Sequence, residues 1–173
     1  MKNIRLYPAV ISHIDTPLLK KNSKTFKEIT IAPNIDTDSL QNLIEYTGSV
    51  ALLHKDVPSW LLENIERVKW LQLNLPNVSK LNSKTSERLT YFSGRIIRLN
   101  GLKKLGPREA KYLQAFPVNP KNNYSYQIEL KNLSKLSPKA LSYLSRAGRT
   151  QWTLYLPHAT EKHFEVLRSR KIT

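Results

Sequence analysis

Cations recur at fixed places along this 173-residue chain. Lys80, Lys104 and Lys135 each precede a leucine, and His158 holds the matching place before Ala159. Three residues beyond those apolar positions stand Lys84, Arg108, Lys139 and Lys162. Side chains of this type do electrostatic chemistry, neutralising phosphates or an acidic partner and releasing counterions. The helix pattern described below puts the second set in first helical turns. There the peptide dipole disfavours positive charge by roughly 0.3–1 kcal/mol each. A cost repeated at matched positions points to use. Lys80, Lys84, Lys104, Arg108, Lys135, Lys139 and Lys162 are therefore a candidate polyanion ridge. The competing reading is a solvated face whose charges are screened within about 10 Å at ordinary salt.

Residues suited to bond-making chemistry are sparse. His13, His54, His158 and His163 are scattered. His158 and His163 are too far apart to share one helix face as ligands, and no Asp or Cys completes a known metal spacing beside them. Glu161 and Glu165 lie near this pair and read as part of a solvated helix. The chain has no cysteine, which excludes disulfides and thiolate metal sites and suits a reducing compartment. Five glycines leave little room for a phosphate-cradling loop, and no nucleophile motif is recognisable. The expectation is a non-enzymatic protein with no catalytic, cofactor-binding or metal-binding residues.

The elements that position the cations come from a repeat. Leu99-Asn-Gly-Leu102-Lys-Lys-Leu105-Gly-Pro107-Arg-Glu-Ala-Lys-Tyr112-Leu113 recurs as Leu130-Lys-Asn-Leu133-Ser-Lys-Leu136-Ser-Pro138-Lys-Ala-Leu-Ser-Tyr143-Leu144. Ile97-x-Leu99 and Ile128-x-Leu130 alternate with the period of a strand that has one buried face. Leu102 and Leu133 turn inward at a corner. Ser137 can cap a helix that Pro138 starts, and leucines at spacings of three and four follow on its inner face. Gly94 and Gly148 are expected to close two helices as left-handed terminal residues. Such a strand-plus-helix unit cannot bury its apolar face alone, so units must stack.

Trp70-Leu71-Gln-Leu73-Asn-Leu75 opens an earlier unit of the same kind, and Trp152-Thr-Leu154 opens a later one. Upstream the pattern is fainter. Glu28 to Ile31 and Val50 to Leu53 read as strands, with helices over Asp38 to Tyr46 and Trp60 to Ile65. Residues 1–25 fall outside the frame and read as an N-terminal cap or link. Residues 26–173 read as the array, with a loop inserted at 117–125 and a C-terminal capping unit. Without about eight residues of that Pro/Asn-rich loop, the 31-residue spacing from Leu99 to Leu130 falls to about 23.

The frame L-x-L-x-x-L-x-x-L-[SG]-P-x-x-A-x-x-L, closest at Leu99 to Ala110, resembles the leucine-rich repeat, in a short irregular bacterial form. The resemblance covers residues 68–167 well and 26–67 weakly. It implies an α/β solenoid of about six units, right-handed and curved, with strands on the concave face and helices on the convex face. It also implies binding, most often of proteins, and one bacterial setting for such small arrays is a secreted effector. The asparagine usual at the inner turn is irregular: Asn74 and Asn100 follow their strands, whereas Lys131 and Tyr155 hold the matching places. No ligand-binding residue carries over, because these repeats bind through variable positions.

Two surfaces follow from that register. Outward strand positions give a candidate protein-binding face of Trp70, Gln72, Arg98, Asn100, Glu129, Lys131, Thr153 and Tyr155, mixed in charge as such faces often are. The basic ridge is the other. Of the net charge of +15, residues 1–66 contribute −1 and residues 67–173 contribute +16. That asymmetry points to an acidic protein surface, or alternatively to nucleic acid or another polyanion, as the partner of the C-terminal part. No apolar run is long enough to span a membrane or to act as a signal peptide. The expected protein is a monomer, cytoplasmic or exported without an N-terminal signal.

Overall fold

Among the described residues, short strands are interleaved with short helices, and the strands pair only with parallel neighbours. The computed structural model describes residues 10–11, 27–35, 40–41, 43–117, 126–146 and 150–169. The strands are β1 (Val10–Ile11), β2 (Glu28–Ile31), β3 (Ser49–Leu52), β4 (Gln72–Asn74), β5 (Ile96–Arg98), β6 (Lys104–Leu105), β7 (Tyr126–Leu130), β8 (Lys135–Leu136) and β9 (Thr150–Leu154). The helices are α1 (Ser59–Asn64), α2 (Ser83–Leu89), α3 (Pro107–Leu113), α4 (Pro138–Leu144) and α5 (Glu161–Arg168). The main sheet runs β1-β2-β3-β4-β5-β7-β9, every neighbouring pair parallel, and β6 pairs with β8 in a second, two-stranded parallel sheet. The protein is thus mixed α/β with an open parallel sheet.

Register explains the core. Val50, Leu73, Ile97, Ile128 and Trp152 are aligned across adjacent strands, and Ile31 aligns with Leu52 as Leu130 does with Leu154. The first four of that row and the flanking Leu75 and Leu99 have no exposed surface. They share one core with Leu61, Leu89, Ala110, Leu113, Ala140 and Leu144 from the helices. Successive helices pack on one another, α1 on α2 through to α4 on α5. Each unit therefore buries its apolar side against its neighbours.

Local chemistry sets the helix starts. Asn82 Oδ1 accepts from Thr85 N at 2.8 Å ahead of α2, and Ser137 Oγ accepts from Ala140 N at 3.1 Å ahead of α4. Pro107 and Pro138 occupy first helical positions, where a missing N–H costs nothing. Gly94 departs from the predicted role. It closes no helix, since α2 ends at Leu89, and among the described residues no glycine has a positive φ. Its lack of a side chain answers a close approach instead: a Cβ there would run into the Trp70 carbonyl and the Phe92 ring. Gly148 lies outside the described residues.

Other expectations shift at the ends of the sheet. Ten leucine and isoleucine positions of the two matched units were expected to be buried; nine are, and Leu136 alone is half-buried. Within the predicted N-terminal cap, Val10–Ile11 extends the sheet beside β2; the rest of residues 1–25 and residues 118–125 of the predicted loop lie outside the described residues. At the other end β9 is an edge strand. Trp152, Leu154 and Leu156 are half-buried there, and Phe164 and Leu167 on α5 are exposed.

Candidate binding surfaces

The parallel register determines which predicted surface residues stand together. On the sheet face opposite the helices, Gln72, Ile96, Gln127 and Gln151 form one row, and Asn74, Arg98, Glu129 and Thr153 form the next. Glu129 is the hub. Its Oε2 lies 3.1 Å from Arg98 Nε and 3.2 Å from Lys131 Nζ, and Gln127 Nε2 donates to its Oε1 at 3.3 Å. Gln127 also donates to Thr153 Oγ1 at 3.2 Å. Asn100 Oδ1 accepts from Lys131 N at 3.1 Å, and Asn132 Nδ2 donates to Asn100 O at 2.6 Å, so the turns after β5 and β7 are tied together. Burial raises the Glu129 carboxyl, but the Arg98 and Lys131 cations more than offset it and hold it below the usual carboxylate range. Tyr155, just past β9, is 63% exposed.

Three members of the predicted face do not serve as exposed contacts. Trp70 is fully buried, its ring 6.0 Å from Trp60 in an edge-on pair and its Nε1 donating to Leu43 O at 2.6 Å. It precedes β4, where the chain has not yet entered the strand, so alternation does not apply and the indole packs toward the helix side. Gln72 and Glu129 are also buried, Glu129 beneath its ion partners Arg98 and Lys131. Arg98 and Asn100 are half-buried, while Lys131, Thr153 and Tyr155 are exposed.

All seven ridge residues are exposed. Lys84, Arg108, Lys139 and Lys162 are the second residues of α2, α3, α4 and α5. Lys104 and Lys135 are register partners across β6 and β8. Backbone bonds extend this corner: Lys103 N donates to Ser79 O at 3.3 Å, and Ser134 N and Lys135 N donate to Lys103 O at 2.9 and 3.1 Å. Lys104, Gly106, Lys135, Ser137 and His158 line one shallow groove there. Among the described residues, ion pairs engage Lys69, Arg88, Arg98, Lys131 and Arg168 but no member of the ridge. Of the nearby acids, Glu109 accepts from Ser83 Oγ at 3.0 Å and Glu161 is held by Arg168 at 2.7 Å.

Two histidines differ sharply in surroundings. His163 was read as part of a solvated helix, yet it is buried. Thr160 N donates to its Nδ1 at 3.0 Å, which leaves Nε2 as the protonated nitrogen that meets Leu136 O at 2.6 Å. The ring caps α5 and latches it to β8. His54 lines an open groove with Asp56, Ser59 and Asn77, and burial lowers the pKa of its imidazole. Among the described residues no group of three or more His, Cys, Asp or Glu could hold a metal ion, and no helix is long and apolar enough to cross a membrane. No protein-family model, curated protein or solved structure matches the chain.

Proposed function

We propose that this chain is a leucine-rich repeat solenoid of short bacterial type that binds a protein without catalysing a reaction. The observation that carries the reading is the sheet face, where side chains from successive parallel strands form one fixed polar surface. The Arg98–Glu129–Lys131 cluster is ion-paired before any partner arrives, so little side-chain order has to be gained on binding. Lys131, Thr153 and Tyr155 present the exposed part, and tyrosine is enriched among the side chains that anchor interfaces. A partner with acidic groups fits the cationic side of this face. A secreted effector is one setting for such a module, and the cytoplasm is another.

The test is affinity capture from nuclease-treated lysate at two salt concentrations, with wild type beside a Lys131→Glu/Tyr155→Ala variant. A protein retained by wild type and lost from the variant is the expected result. Equal retention by both would place the contact away from this face and sink the reading.

A further inference from the structure

We propose that the basic flank at the β6–β8 corner and the helix starts beside it binds the phosphate backbone of duplex nucleic acid. This surface is separate from the sheet face and does not depend on a protein partner. Lys104 and Lys135 stand in register on hydrogen-bonded parallel strands, which puts their backbones about 4.8 Å apart. Lys84, Arg108 and Lys139 add one cation at the second residue of each adjoining helix. None is in an ion pair among the described residues. Like charges set side by side and against helix dipoles oppose folding. A polyanion converts that repulsion into binding free energy by replacing condensed counterions.

The kind of polyanion follows from what accompanies the charge. Residues 79–84, 103–109 and 134–139 include no exposed large apolar side chain. Single-strand platforms need aromatic rings on which bases stack. Lasting attachment to lipid adds apolar side chains entering the interface to the attraction of charge. A duplex needs neither, because it presents a stiff row of phosphates, one charge per about 1.7 Å of axis, to a stiff row of cations. Recognition is then by charge and shape, independent of sequence.

Fluorescence anisotropy with a labelled 20-base-pair duplex of arbitrary sequence tests this on the full chain. With five phosphate contacts, affinity falls roughly 500-fold between 50 and 200 mM salt. The quadruple variant Lys84→Gln/Lys104→Gln/Lys135→Gln/Lys139→Gln should lose most of both the affinity and the salt slope. A control with equal charge loss elsewhere, Lys27→Gln/Lys55→Gln/Arg67→Gln/Arg146→Gln, should keep at least half of the slope. An oligo-dT strand of the same length and vesicles containing phosphatidylserine should bind more weakly than the duplex. Equal losses in the two variants would make the effect one of net charge and overturn the site. Tighter binding of the single strand or the vesicles, or no duplex binding at 50 mM salt, would overturn it equally.

Discussion

At the scale of single residues, Glu129 shows how position converts a surface charge into a structural one. Its strand neighbours on either side bury it, and Arg98 and Lys131 favour its charged form. The folded carboxyl therefore holds its proton less tightly than the unfolded one, whose pKa is near 4.3. The stabilisation is present above that value and is lost as pH falls through the lower folded pKa. Glu129→Gln should cost about 1–3 kcal/mol at pH 7. Urea titrations from pH 7 to pH 3 should show wild type and variant converging; a gap that stays constant would mean that charge is not what stabilises the site. Gly94 makes the opposite point, since there the absence of a side chain is what packs. Gly94→Ala forces a methyl group into the Trp70 carbonyl and Phe92 ring. A loss of about 1–3 kcal/mol is expected, within the range for overpacking, and thermal unfolding checks it.

At the scale of elements, the matched units were legible because their determinants are local. Ile97 and Leu99, like Ile128 and Leu130, alternate within the strand, and Ser137-Pro138 marks the helix start inside three residues. Leu130 is fully buried in the core, and its truncation to alanine should cost about 2–5 kcal/mol. What escaped sequence reading depends on contacts between units. Trp70 was placed on the sheet face by extending alternation beyond the strand, whereas its partners Trp60 and Leu43 belong to the preceding turns of chain. His163 escaped for the same reason: Leu136, the partner of its Nε2, is 27 residues away. The spacing Thr160-x-x-His163 was a local signal for a capping box, with histidine where glutamate or glutamine is usual. His163→Ala should therefore free α5 from β8 at a cost of about 1–3 kcal/mol. Hydrogen exchange should quicken over residues 161–168 and leave β2 to β4 protected. Uniform loss of protection would instead mean that the array unfolds as one unit.

At the scale of the whole molecule, the charge is as unequal as the fold is regular. Residues 67–173 carry +16 of a total of +15, and the flank formed by the helix starts is exposed and without ion pairs among the described residues. Stacking aligns these cations at unit spacing, so folding concentrates repulsion that an extended chain spreads out. Exposed charges are screened by salt more than the buried Glu129 carboxylate is. Added sodium chloride should therefore relieve repulsion more than it weakens ion pairs, and stability should rise with salt. Four first-turn cations at roughly 0.3–1 kcal/mol each set the low-salt penalty at about 1–4 kcal/mol. For a chain of this size each kcal/mol moves the Tm by about 2–4 °C. Wild type should thus gain several degrees between 20 and 300 mM salt. The Lys84→Gln/Arg108→Gln/Lys139→Gln/Lys162→Gln variant should start higher and gain less. A Tm that falls with salt, or a variant with the wild-type slope, would show that the flank carries no such strain, and the thermodynamic motive for a polyanion partner would go with it.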